Sequence, residues 1–163
     1  IEELLEPIQA GSDIGLISDA GIPSIADPGF RVVSKAQSLG VEVIPLVGPS
    51  SILLALMASG LNGQNFAFNG YLSKNKEAKQ REIRFLEDLS YKTGQTQIFM
   101  EPPYRNQSML EDILSVCDSY TKLCIAYNIM GENQKIITKR VGEWRSEKPN
   151  LDREPCLFLI NKR

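Results

Sequence analysis

Residues 13–61 read DIGLISDAGIPSIADPGFRVVSKAQSLGVEVIPLVGPSSILLALMASGL. The run DIGLIS (13–18) is short and apolar, and it ends in a turn-rich segment punctuated by Gly21, Pro23, Pro28 and Gly29, so it reads as a strand followed by a loop. Phe30, Val33, Ala36 and Leu39 then recur at helical spacing. Pro28 suits the first helical position, Gly40 the stop and Asp27 the N-cap. A second apolar strand, VEVIPLV (41–47), runs into Gly48-Pro49-Ser50, which opens the apolar helix SSILLALMASG ending at Gly60. Strand, helix, strand and helix in that order, with continuous apolar strands, predict a parallel sheet covered by helices. The fold class is therefore α/β.

The Asn- and Gly-rich LNGQN (61–65) marks a domain boundary, giving domains over 1–62 and 63–163. Beyond it the pattern predicts a strand FAFNG, a charged helix over 77–89, a strand TQIFM and a helix over 105–117. The strands KLCIAYN, QKIITKR and CLFLINK follow. The polar, proline-bearing WRSEKPNLDREP (144–155) reads as loop, so the second domain is mixed α/β.

Composition narrows the chemistry. With 42% hydrophobic and 23% charged residues in 163, the chain has material for a sizeable core. No segment approaches the roughly 18 uninterrupted apolar residues of a membrane helix, so the chain is expected to be soluble. A formal charge of -2 argues against wholesale electrostatic binding of nucleic acid, and any RNA contact must be regional. The absence of histidine excludes a histidine base, a Ser-His-Asp triad and any His-ligated metal. Cys117, Cys124 and Cys156 are odd in number and set in apolar contexts, which suits buried thiols in a reducing compartment; no zinc site is expected.

Two loops lie where open α/β sheets bind ligands, after a strand and before a helix. In SDAGIPSIADPG the glycines permit close approach to a ligand, and Asp19 and Asp27 can bond ribose hydroxyls or cap a helix; capping is the plainer reading. In VGPSS, free amides at a helix start stand beside the hydroxyls of Ser50 and Ser51, where helix capping competes with ligand binding. Neither loop is a dinucleotide or P-loop phosphate fingerprint.

The run from Ser18 to Leu61 resembles the SDAGTPxISDPG…PLPGPxA…ALxxSGL core of the tetrapyrrole-methylase superfamily, in particular of the ribosomal RNA small-subunit methyltransferase I group. NGYLSKNKEAKQREIRFL (69–86) is similar to that group's GFLPxKxxxRxxxL segment, and IFMEPPYRNQSMLEDI (98–113) to its FYESPHRLxxxLxDI segment. The resemblance implies two small α/β domains, the first a partial parallel sheet, with S-adenosylmethionine in a cleft between them and a homodimeric assembly. Asp19, Ala20, Gly21, Ile25, Asp27, Pro49, Ser50 and Ser51 would lie around the donor, and Glu101 and Arg105 would be catalytic. It also implies transfer of a methyl group to a ribose 2'-oxygen of small-subunit ribosomal RNA.

The chain opens at Ile1, inside the helical IEELLEPIQAG, and is expected to be a fragment. The family's first strand and glycine-rich loop would precede it, so weak donor binding is expected. Tyr104 stands where the family has the histidine of ESPHR, and AYNIMG (126–131) stands where it has ARELTK. These departures keep two alternatives open: a methylase of tetrapyrroles or another small molecule, and a non-catalytic RNA- or ribosome-binding module. On residue type alone Glu101 and Arg105 read as a salt bridge around a strand-to-helix turn. Lys74, Lys76, Lys79, Arg81 and Arg84 form a candidate phosphate-contacting cluster, although Glu77, Glu82, Glu87 and Asp88 dilute it and a solvated face with Ile83, Phe85 and Leu86 packing beneath explains it nearly as well. Trp144 and Tyr104 are candidates for stacking on a base, with packing the plainer role for a lone Trp.

Overall fold

The computed structural model describes residues 2–151 and 153–163; Ile1 and residue 152, within the expected 144–155 loop, lie outside the described residues. The chain divides by packing into two compact units, residues 1–50 and 51–163. Composition placed the division at 61–65, whereas packing places it earlier, because the helix after Pro49 buries one face on the sheet of the second unit.

That second unit is built around five strands: β1 (Phe66–Tyr71), β2 (Thr96–Met100), β3 (Lys122–Tyr127), β4 (Lys135–Arg140) and β5 (Cys156–Asn161). Their order is β1-β2-β5-β3-β4, with β1 and β2 parallel and every other pair antiparallel. Parallel neighbours need a crossover, and α4 (Lys76–Thr93) supplies it. β5 sits centrally and is buried along its whole length, as its unbroken CLFLIN requires.

Side chains of a strand alternate between faces, and the apolar runs of β2, β3 and β5 therefore feed two cores. Phe99, Leu123, Ile125, Phe158 and Ile160 point to one face. There they meet Ile83 and Leu86 of α4, Met109, Leu110 and Ile113 of α5 (Asn106–Val116), and Trp144 of α6 (Val141–Ser146). Ile98, Cys124, Ala126, Leu157 and Leu159 point to the other face and meet Ile52, Ala55 and Leu56 of α3 (Ser51–Ser59). All three cysteines are free and buried, and burial pushes the Cys124 thiol up to about 11.

Helix α6 takes Trp144–Ser146 from the start of the expected loop, while 147–151 and 153–155 lie outside helix and strand as expected. Its six residues are too few to show a helical period, and it forms because the Glu143 carboxylate accepts the Arg140 amide at 2.7 Å and Trp144 enters the core. The indole Nε1 donates to the Leu123 carbonyl at 2.9 Å. Trp144→Phe removes that buried bond with little loss of apolar surface. We expect a loss of about 1–2 kcal/mol, read as a lower urea midpoint at unchanged m-value.

The first unit holds α1 (Glu2–Gln9) and α2 (Phe30–Ser38), joined by an ion pair of 3.1 Å between Glu2 and Lys35. The expected strands at 13–18 and 41–47 have no ladder partner among the described residues. An apolar run becomes a strand only when a neighbour takes its amides and carbonyls. Here both segments are irregular and leave Ile17, Ile44, Leu46 and Val47 exposed.

Candidate functional site

Within the first unit, residues 18–29 form a loop organised around one carboxylate. Asp27 Oδ1 accepts the amides of Ser24 at 3.0 Å and Gly29 at 2.8 Å, and Oδ2 accepts the Ser18 hydroxyl at 3.3 Å. The Gly29 contact ties the carboxylate to the turn that leads into α2, but Gly29 is the N-cap and no side chain caps the helix, so the N-cap role expected of Asp27 is not realised. The Ser24 amide first and the Gly29 amide next hold the Asp27 carboxyl below its ordinary value.

This loop carries strain. Ser24 (φ 69°) and Ala26 (φ 55°) are left-handed without being glycine, a conformation worth about 1–2 kcal/mol per residue and typical of ligand-binding turns. A Cβ at Gly29 would fall 2.6 Å from Asp27 Oδ1, so only glycine lets the carboxylate close over that amide. Around this fixed centre Asp19, Ala20, Gly21 and Ile25 are exposed.

The second loop stands beside the first. Gly21 (φ 71°) has Pro49 as its neighbour, a Cβ there lying 4.0 Å from the Pro49 carbonyl, and a Cβ on Gly48 would lie 3.8 Å from Ile22. Pro49 is exposed and Ser50 half-buried. Ser51 is exposed at the start of α3 and belongs to the second unit. The structure thus brings together Asp19, Ala20, Gly21 and Pro49 as an open rim around a rigid hub at Asp27.

In the second unit β2 ends at Met100 and delivers Glu101, and a 3-10 turn over Pro103–Arg105 folds the chain back. That turn sets Arg105 Nη2 2.6 Å from Glu101 Oε2, realising the ion pair expected from residue type. The Glu101 side chain is 0% exposed and that of Arg105 21%. Glu101 Oε1 and Arg105 Nε have no hydrogen-bond partner, so one contact fixes the pair. Burial pushes the Glu101 pKa up, against the pull of Arg105 first and Lys79 next. Tyr104 is exposed, with the Arg105 guanidinium 5.8 Å from its ring centre.

Sequence reasoning missed the polar groups behind this pair. Lys79, expected in the phosphate-contacting cluster, is buried with its Nζ 2.7 Å from Asp112 Oδ2. It therefore cannot serve that cluster, whereas Lys74, Lys76, Arg81 and Arg84 are exposed. Phe85, expected to pack beneath them, is exposed as well, while Ile83 and Leu86 do pack. Asn106 is fully buried and donates to the Glu154 carbonyl at 2.6 Å. The available signal was a charge inside an apolar stripe: Lys79 lies one turn before Ile83, and Asp112 between Met109 and Ile113. Trp144 packs in the core, as the plainer reading had it.

No family model matches the chain. Ribosomal RNA small subunit methyltransferase I of Vibrio cholerae is 33% identical over 161 residues, covering 97% of this chain and 54% of the relative. The protein of the same name from Bacillus subtilis is 37% identical over 160 residues, covering 96% and 53%. The chain spans about half the length of the curated relatives it matches. Among solved structures, the methyltransferase CobJ superposes with a TM-score of 0.64 at 18% identity, over 96% of this chain and 67% of its own. The cobalt precorrin-4 methyltransferase CbiF gives 0.54 at 14%, over 86% and 61%. The fold is the one these tetrapyrrole methyltransferases share, and the resemblance to the ribosomal RNA methyltransferases holds along nearly the whole chain.

Proposed function

We propose that this chain carries donor-side and acceptor-side residues of an S-adenosylmethionine-dependent methyltransferase whose acceptor is a ribose 2'-oxygen of small-subunit ribosomal RNA. The observation that supports it best is the strained, carboxylate-centred loop at 18–29, whose sequence SDAGIPSIADPG resembles the SDAGTPxISDPG motif of the ribosomal RNA small-subunit methyltransferase I group. A homodimer in the cytoplasm belongs to the same proposal.

The donor, when bound, supplies an electrophilic methyl group on a sulfonium. The chain's own task is alignment, since an in-line displacement needs no covalent enzyme intermediate. Asp19 accepts hydroxyls of the donor's ribose, and Asp27 keeps the loop in the shape that presents Asp19 and Gly21. Arg105, half-buried and the more accessible member of the second site, touches the acceptor and stabilises negative charge as the 2'-hydroxyl gives up its proton to solvent water. Glu101, buried behind it, holds the guanidinium in position. The exposed Lys74, Lys76, Arg81 and Arg84 hold RNA phosphates.

Titration calorimetry of the full-length gene product tests the donor side. We expect saturable binding of S-adenosylmethionine, weakened about tenfold or more in Asp27→Ala, because left-handed Ser24 and Ala26 lose the carboxylate that compensates their strain. No binding at millimolar donor would remove both enzymatic readings and leave the RNA- or ribosome-binding module. A second reading, a methylase of tetrapyrroles or another small molecule, is favoured by the fold shared with CobJ and CbiF. Mapping of 2'-O-methyl groups on small-subunit RNA in a deletion strain separates the two, since an unchanged map points to the small molecule.

A further inference from the structure

At the end of the sheet away from Glu101, three cations gather in a place the proposed chemistry does not use. β2 and β3 both run antiparallel to β5, so Lys122 opens β3 at the edge opposite the one where β2 delivers Glu101. At about 3.3 Å per residue the two edges lie roughly 17 Å apart along the strand. Lys122 stands directly opposite Asn161 of β5 on one side and Arg140 of β4 on the other, and the three form one row on one face of the sheet. Lys122 Nζ donates to the Arg163 carbonyl at 3.4 Å, and a Cβ on Gly94 would lie 3.5 Å from Arg163 Nη1. Asn62, Gly94, Lys122, Asn161 and Arg163 line a cavity of about 340 Å³.

This arrangement works against stability. Like charges directly opposite in a ladder repel, and none of Lys122, Arg140 and Arg163 meets a side-chain carboxylate among the described residues. All three are exposed. With 20 acidic side chains against 18 cationic ones, carboxylates are not scarce in this chain. Glu87 and Asp118, which reach this end of the sheet, face Lys162 instead, each at 3.7 Å. The Gly94 carbonyl, which would repel an anion, is taken up by the side-chain amides of Asn62 at 2.8 Å and Asn161 at 3.2 Å. Beside the row Tyr120 is exposed, with the Arg140 guanidinium 5.4 Å from its ring centre. Unpaired cations around a cavity, next to an open aromatic face, match a single nucleic-acid strand: cations for its phosphates and a ring on which a base stacks.

We propose that Lys122, Arg140 and Arg163 hold a phosphate of an RNA strand along this row and that Tyr120 stacks on an adjoining unpaired base, a second anchoring surface remote from the site of transfer. This rests on the acceptor being RNA, as proposed above. A small acceptor held at Arg105 does not reach across the sheet, whereas a folded RNA is large enough to touch both edges. A phosphate lying between Lys122 and Arg140 relieves their repulsion, so the pair that strains the ladder alone is satisfied in the complex. Phosphate contacts position a nucleic acid without reading its sequence. The row therefore sets where the RNA lies and leaves the choice of nucleotide to other contacts.

Fluorescence anisotropy of an oligouridylate about twelve nucleotides long, with the full-length gene product and no methyl donor, tests the row. Binding is followed across salt concentrations for wild type, Lys122→Gln, Arg140→Gln and Tyr120→Leu. Each lost cation should weaken binding about threefold or more and reduce the slope of log affinity against log salt by about 0.7, the single-strand value for one phosphate contact. Tyr120→Leu should weaken binding about fivefold or more at unchanged slope, because stacking releases no counterion. Neither glutamine variant should melt below wild type, since each removes a like-charge neighbour. Unchanged affinity and slope in both glutamine variants overturns the proposal. So does a loss of affinity accompanied by a lower melting temperature, which would make the row a structural device. Inorganic phosphate at millimolar concentration and matched ionic strength should leave RNA binding within about twofold; complete displacement would assign the cavity to a free anion and equally overturn the proposal. A wild type that binds no oligouridylate would remove the RNA acceptor and this row together, whereas a binding wild type with indifferent variants removes the row alone.

Discussion

Arg105→Ala should reduce methyl transfer by a factor of about 100 or more while leaving donor affinity within about twofold. The loss follows from where the charge is needed. In the proposed reaction the 2'-hydroxyl yields its proton to solvent water, negative charge grows on an oxygen, and a preorganised donor at such a position is worth about 100- to 1,000-fold in rate. Arg105 is preorganised by its contact with Glu101 at 2.6 Å and retains 21% exposure through which to reach an acceptor. Arg105→Lys keeps the charge but not the planar fork, and an intermediate loss of about tenfold is expected. The variant also exposes a pH dependence. The Glu101 pKa is already raised above its ordinary 4.5 by burial, and removing Arg105 takes away the strongest opposing influence. Because the folded value lies above the unfolded one, the folded state binds more protons between the two, and stability falls as pH rises through that window. Arg105→Ala should therefore lose more stability, relative to wild type, at pH 8 than at pH 5 in urea denaturation. Full activity in Arg105→Ala would show that the acceptor is held elsewhere.

How far the sequence discloses this arrangement depends on what each residue needs in order to be understood. The strands TQIFM, KLCIAYN and CLFLINK are legible because they are buried on both faces, and continuous apolar runs bounded by polar residues have few other uses. DIGLIS and VEVIPLV satisfy the same rule and are nevertheless unpaired, since an apolar run specifies burial and leaves the hydrogen-bonding neighbour unspecified. The loop at 18–29 announces itself through glycine and proline, and its turns are visible from spacing alone, although the N-cap falls to Gly29 rather than to Asp27. The left-handed Ser24 and Ala26 were not, because neither residue type demands that conformation. Lys79 shows the opposite failure. On an amphipathic helix a lysine reads as solvated, and only the arrival of Asp112 from α5 makes its burial tolerable. Glu101 and Arg105 were legible as a pair at i, i+4, but which of them faces outward is decided by the turn at Pro103.

The same dependence on a distant partner makes Glu87 the position where a single truncation should damage the fold most through polar contacts. Glu87 is buried in α4 yet belongs to the turn between α5 and β3. Its Oε1 accepts the Asp118 amide at 2.7 Å and the hydroxyl of the fully buried Thr121, and Oε2 faces Lys162 Nζ at 3.7 Å. The Thr121 carbonyl in turn accepts the Val141 amide at 2.9 Å, where α6 begins, so one carboxylate anchors a chain of three elements. Glu87→Ala leaves a part-buried amide, a buried hydroxyl and a lysine without their acceptor, and groups stranded in this way are worth about 3–4 kcal/mol together. For a chain of this size that corresponds to a fall in melting temperature of roughly 6–16 °C. Glu87→Gln keeps an acceptor oxygen for the amide and should lose about half as much. A thiol provides an independent readout. Cys117 is pushed up first by burial and then by the charge of Glu87, so its thiolate should become more accessible in Glu87→Ala and react faster with a thiol reagent under native conditions. Glu87→Gln removes the charge while retaining most of the packing, and Cys117 should remain protected by burial there. Equal labelling rates in Glu87→Ala and wild type, with a stability loss below about 1 kcal/mol, would mean that water replaces the carboxylate and that the turn is held by its own backbone.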